Sequence, residues 1–211
     1  MDIKYLGHSS FYLRTKLARV VMDPFDVEKV GIKFPKTEAD IVTISHAHPD
    51  HSSLKHISNE PLIIDWPGQF EKMGVRISGF STWHDAVGGK ERGENIMYRV
   101  EDDISVLHCG DLGAIPDEKL LDEIGEVHVL MVPVGGVSTL DATQAVELIK
   151  HIEPSIVIPM HYKVGILQNL APLEDFLKKI GVGSVQPVQK LTLKKDELTE
   201  EMKVVVMEQS Q

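Results

Sequence analysis

Ile41-Val42-Thr43-Ile44-Ser45-His46-Ala47-His48-Pro49-Asp50-His51 is the stretch on which the reading of this chain turns. Its first five residues form a compact apolar, β-branched run, the signature of a buried strand. Alternate residues on an extended chain point to the same side, so His46 and His48 can share one metal ion. Asp50 and His51 lie past Pro49, where the chain must turn, and can reach a second ion nearby. Imidazole and carboxylate donors suit Zn²⁺, and also Mn or Fe where carboxylates contribute. The spacing is too specific for histidines that merely solvate a loop.

One short motif cannot fill two coordination spheres, so further ligands should come from later strand ends. His84 follows an apolar strand over Val75–Trp83 and opens the glycine-rich loop Gly88–Asn95. Asp111 follows a strand over Ile104–Cys109, and His161 a strand over Ser155–Pro159. Each lies where an apolar strand gives out, the usual place for sites in layered α/β folds. Strands are also expected in Ile3–Thr15, Ala18–Met22, Pro61–Ile64, Asn95–Val100 and Val127–Val132. The last two, Leu191–Leu193 and Val204–Val206, should form a closing pair with a charged turn between them. Helices are expected at Ser52–Ile57, Asp117–Ile124, Asp141–Ile152 and Pro172–Ile180, with a helical turn at Pro67–Met73 and a loop over Asp23–Asp40. An all-strand opening followed by strand–helix alternation predicts an α/β (α+β) fold in which helices cover sheets. Neither a repeat nor a linker divides residues 1–211, so one domain is expected.

Composition narrows the function. Lys and Arg number 22 against 32 Asp and Glu, for a net charge of −10 without a basic run. Such a surface repels phosphate backbones, which disfavours nucleic acid as a partner. A lone cysteine, Cys109, cannot form an internal disulfide and fits a reducing compartment. The N-terminal residues lack the order of a signal peptide, and nothing approaches the apolar run needed for a transmembrane helix. A cytoplasmic protein is expected.

Taken in order, Asp23, the His46/His48/Asp50/His51 cluster, His84, Asp111 and His161 resemble the metallo-β-lactamase-fold hydrolases over essentially the whole chain. Gly7-His8-Ser9-Ser10, His108-Cys109-Gly110-Asp111-Leu112, Pro133-Val134-Gly135-Gly136 and Ile158-Pro159-Met160-His161-Tyr162 resemble one branch, which includes ascorbate-6-phosphate lactonase and a phospholipase D acting on N-acylethanolamine phospholipids. The resemblance implies a four-layer αββα sandwich. It also implies two zinc ions per chain, with Mn or Fe left open: one on His46, His48 and His84, the other on Asp50, His51 and His161, and Asp111 bridging. A bridging carboxylate offsets the repulsion of two adjacent cations, and a hydroxide held between them is a nucleophile at neutral pH. Asp50 would orient it. Asp23 would accept the second N–H of a ligand histidine. The implied function is hydrolysis of an ester-like bond in a lactone, phosphodiester or related small, anionic metabolite.

Other residues carry two readings each. His8 suits either substrate contact or structural support, and Tyr162 either donation to a developing oxyanion or packing. His108 suits structural support of the site and Cys109 packing, while His56, His128 and His151 have no partner motif. Gly88–Asn95, with Lys90, Arg92 and Asn95, suits a substrate lid or an ordinary loop. Gly135-Gly136 suits either anion-facing N–H groups or a tight turn. The rival functions are a nuclease, disfavoured by the acidic surface and by the lack of room for an extra domain, and a non-catalytic metal-binding scaffold. Self-association into a homo-oligomer is compatible with the sequence, although no interface signal stands out.

Overall fold

The computed structural model describes residues 1–199 and 201–210. The first half holds β1 (Asp2–Gly7), β2 (Ser10–Arg14), β3 (Arg19–Met22), the short helix α1 (Val27–Val30), β4 (Ile41–Thr43), β5 (Leu62–Ile64), β6 (Gly68–Lys72), β7 (Val75–Trp83) and β8 (Glu94–Glu101). The second holds β9 (Ser105–His108), α2 (Glu118–Ile124), β10 (Val129–Pro133), α3 (Ala142–Ile152), β11 (Ile156–Met160), α4 (Leu173–Ile180), β12 (Leu191–Thr192) and β13 (Lys203–Val204). They form two mixed sheets, ordered β12-β1-β2-β3-β4-β5 and β13-β11-β10-β9-β8-β7-β6.

Alternation decides which side chains meet between the sheets. Val20 and Met22 of β3 and Ile41 of β4 share a core with Ile77, Met97 and Leu130 of the second sheet. Their neighbours Val21 and Val42 turn outward to pack with Phe25 and Phe34. On the far side, Leu148 of α3 and Phe176 of α4 are fully buried. The result is the expected αββα sandwich, with its first outer layer built from the 23–40 segment. That segment is a loop apart from α1, which Asp26 caps and Gly31 ends. No helix among the described residues is long and apolar enough to cross a membrane.

Three local expectations fail. Residues 52–57 are not helical: the Ser52 hydroxyl donates to the His48 carbonyl (2.9 Å) instead of accepting a helix N–H, and Ile57 bridges to Thr37. Residues 67–73 are not a helical turn, because Gly68–Lys72 pairs as a strand with Val75–Gly79 around a turn at Met73-Gly74. The two closing strands do not pair with each other among the described residues: β12 pairs with β1 in the first sheet and β13 with β11 in the second.

Candidate metal centre

Strand direction brings the polar residues together. β1, β3 and β4 end at one rim of the first sheet, and β7, β9 and β11 end at the facing rim of the second. The rims are tied by backbone hydrogen bonds, Ile96 N–H to the Ser45 carbonyl (2.9 Å) and His161 N–H to the His8 carbonyl (3.1 Å). Eight expected site residues follow these strand ends: Asp23, His46, His48, Asp50 and His51 on one side, and His84, Asp111 and His161 on the other.

Asp111 is the centre of the arrangement. Its Oδ2 lies 3.1 Å from His161 Nε2, 3.3 Å from His84 Nε2 and 3.9 Å from His46 Nε2, and its Oδ1 lies 3.2 Å from His51 Nε2. His46, His48 and His84 present ring nitrogens within 4.8 Å of one another, as do His8, His51 and His161.

Three of the imidazoles are held from behind. Asp23 Oδ2 accepts His51 Nδ1–H (2.8 Å) and the Ser45 hydroxyl (2.5 Å), while Oδ1 accepts the Ser45 N–H (2.7 Å). With its proton committed to Asp23, the Ser45 Oγ accepts from His46 Nδ1 (2.9 Å). His84 Nδ1 donates to the Ser138 carbonyl (3.3 Å). Each contact puts the ring proton on Nδ1 and leaves the Nε2 lone pair facing Asp111. His46 Nε2 and Asp111 Oδ1 are buried without a hydrogen-bond partner. Buried lone pairs converging in this way repel one another unless a cation sits among them, so the donor set fits divalent metal.

Electrostatics agree for His46 and His8, whereas Asp111 and Asp23 push the His51 ring up against its burial, so a cation there would displace its second proton. Burial, with His51 beside it, brings His46 down to about 3, and burial with His161 brings His8 down to about 4. Both rings are therefore neutral donors at neutral pH. Asp111 is fully buried, yet His161 and His51 hold its carboxyl well below the ordinary range. Asp50 is likewise held down against its burial, by His8 and His51, and stays ionised.

Backbone strain is concentrated here. His8 (φ 55°), Asp23 (φ 45°) and His161 (φ 51°) all occupy the left-handed region, at roughly 1 kcal/mol or more each. Close packing adds to it: a Cβ on Gly110 would lie 2.4 Å from Asn95 Oδ1, and one on Gly135 would lie 2.1 Å from the His161 carbonyl.

The remaining expectations divide. His108 supports the site, donating from Nε2 to the Ser9 carbonyl (2.7 Å) and accepting Gly110 N–H at Nδ1 (3.2 Å). Cys109 packs in the core, and burial pushes its thiol up. Tyr162 does not join the cluster but packs against the core, its ring 6.4 Å from Tyr5. Gly135-Gly136 offers no free pair of donors, since Gly136 N–H bonds to the Leu140 carbonyl. Of the glycine-loop residues, Arg92 lines the cleft. Asn95 instead turns inward, accepting the Asp111 N–H (2.8 Å) and donating to the Cys109 carbonyl (2.9 Å). Asp85 accepts four N–H groups of the same loop, from Val87, Gly89, Glu91 and Arg92.

Sequence reasoning passed over Ser45, Asn95 as a support and Asp85. Only Asp85 left a local trace, as a carboxylate directly ahead of a glycine-rich loop.

The cluster opens into a cleft of about 370 Å³, rimmed by Lys29 and Arg92 on its charged side and by Val137, Leu167 and Leu170 on its apolar side. A larger hollow of about 740 Å³ lies at the other end of the strands, around Arg99, Glu101 and Lys194. Its charges are largely paired, so the chemistry lies in the smaller cleft.

An αββα sandwich with histidines and aspartates meeting at facing strand ends defines a metallo-β-lactamase-type protein. The Beta-lactamase superfamily domain matches residues 2–161. The chain is 37% identical to a candidate Zn-dependent hydrolase of the metallo-β-lactamase superfamily from Thermotoga maritima, whose crystal structure matches with a TM-score of 0.81 over 98% of this chain and 97% of that one. It is 28% identical to a UPF0173 metal-dependent hydrolase of Nanoarchaeum equitans, over 93% of this chain and 98% of that protein. A metallo hydrolase from Ignicoccus hospitalis, 21% identical, shares the fold with a TM-score of 0.67 over 92% and 98% of the two chains. The chain belongs to the metallo-β-lactamase superfamily of metal-dependent hydrolases.

Proposed function

We propose that this protein hydrolyses an ester-like bond in a small anionic metabolite, a lactone or phosphodiester of the kind its branch motifs suggest, with two divalent cations. His46, His48 and His84 would hold one, and Asp50, His51 and His161 the other, with Asp111 between. The observation that carries this is the convergence of four Nε2 atoms on Asp111. Bound there, such cations supply Lewis acidity and lower the pKa of water enough for attack at neutral pH. Zn²⁺ is the first choice from the donor types, with Mn²⁺ and Fe open.

The chain's own groups do the rest. Asp50, ionised and partly open to the cleft, orients the attacking water. Lys29 and Arg92 offer charge and paired N–H donors to an anionic group at the rim. A 370 Å³ cleft suits a small molecule better than a polymer. The net charge of −10 and a buried, unpaired Cys109 accord with a cytoplasmic setting.

The test combines metal content with turnover of a lactone and a phosphodiester. Wild type should hold close to two ions per chain. Chelator, His46→Ala and Asp111→Ala should each lower turnover at least a hundredfold, and Zn²⁺ or Mn²⁺ should reverse the effect of the chelator. Loaded protein without turnover on any substrate would leave the scaffold reading instead.

A further inference from the structure

We infer that His8 is a ligand of the second cation, binding through Nε2 beside Asp50 and His51. The inference rests on the two-metal reading above and adds a donor to it.

Three distances carry the argument. His8 Nε2 lies 3.2 Å from His51 Nε2 and 3.6 Å from Asp50 Oδ2, and His51 Nε2 lies 3.9 Å from Asp50 Oδ2. The point equidistant from atoms so spaced lies about 2.1 Å from each, the length of a Zn–N or Zn–O bond. His161 presents a ring nitrogen within 4.8 Å of those of His8 and His51, on the same side of the cluster.

The competing role is hydrogen bonding. At 3.6 Å, His8 Nε2 is too far from Asp50 Oδ2 to donate to it. A bond from His8 Nε2–H to His51 Nε2 is within range, but it would occupy the lone pair that Asp23, by holding His51 Nδ1–H, turns toward the centre. Both interactions cannot use that lone pair.

The fold also fixes His8 closely. The residue is fully buried and sits at φ 55°. Its carbonyl accepts from the Tyr5 hydroxyl (2.9 Å) and from His161 N–H (3.1 Å), and the next carbonyl, Ser9, accepts from His108 Nε2 (2.7 Å). Packing alone could be met by an apolar residue in relaxed backbone; an aimed imidazole could not.

His8→Gln separates the roles, because its side-chain amide can still donate a hydrogen bond but is a poor ligand for these ions. Co²⁺ titration of full-length, metal-stripped protein, followed by the visible d–d bands and by bound metal, is the readout. Wild type should take up two ions. His8→Gln should keep one tightly and bind the second at least tenfold more weakly, with the bands of the second site reduced. Two ions bound by the variant with wild-type affinity and spectrum would overturn the inference while leaving the two-metal reading intact. Wild type that binds no ion would overturn both.

Should the variant fail to fold, proton NMR of Co²⁺-loaded wild type decides. Ligation by His8, His46, His48, His51, His84 and His161 gives six strongly shifted, exchangeable ring N–H signals. Five signals, assigned through dipolar contacts to the other five rings, would overturn the inference.

Discussion

Asp23 illustrates how much of this site is built by residues that stand behind the proposed ligands. Through Ser45 it orients His46, and directly it orients His51, so one carboxylate fixes the tautomer of two rings. Burial alone would raise its pKa; His108 and His51 keep it below the ordinary value, and it remains an acceptor. Ser45→Ala removes the hydroxyl in the middle of this relay. Loss of such a supporting contact should weaken metal binding about 10–100-fold, measured by competition with a chromophoric chelator. An unchanged affinity would mean that His46 is held by packing alone. Ser45 left no signal of its own, because a serine at a strand end is ordinary until its partners, 22 residues back and one residue ahead, are seen.

At the scale of elements, the glycine-rich connection between β7 and β8 differs most from its composition. Glycines suggest mobility, but Asp85 accepts four N–H groups of the loop and carries Arg92 to the cleft. Burial works against the Asp85 carboxylate, but those four donors bring its pKa down to about 2. A depressed carboxylate contributes order that is fully present above its unfolded pKa of about 4 and is lost as pH falls through about 2. Amide exchange at Gly89 and Arg92 should therefore lose protection between those values, and in Asp85→Ala it should be unprotected at neutral pH. Protection that persists in the alanine variant would show that the loop is held by other contacts. The misread β6 follows similar logic: Gly68–Lys72 has weak local preference, and pairing with β7 decides its state.

Across the whole molecule, the proposed ligands come from both sheets. His46, His48, Asp50 and His51 follow β4, while His84, Asp111 and His161 follow strands of the other sheet. Metal bound there would clamp the sandwich at its open rim. Free metal at a hundred times its dissociation constant adds about 2.7 kcal/mol to the folded state. For a chain of this size that is a rise in Tm of roughly 5–10 °C, read by calorimetry with Zn²⁺ and reversed by chelator. A Tm indifferent to metal would argue that the folded protein holds no ion there more tightly than the unfolded chain does.

Local chemistry in the sequence was enough to determine most strands, the capped helices α2 and α3, and the seven proposed donors that follow strand ends. Alternation, Asp caps and His-x-His spacing act between near neighbours, so they can be read along the chain. Tertiary structure alone decided that β12 and β13 join different sheets, that Tyr162 faces the core, and that His8, Ser45 and Asn95 converge on the donors. Those outcomes depend on contacts between segments far apart in the chain, such as His8 with His51 and Asn95 with Asp111. A single polar residue carries no local signal of the partner that long-range packing will bring to it.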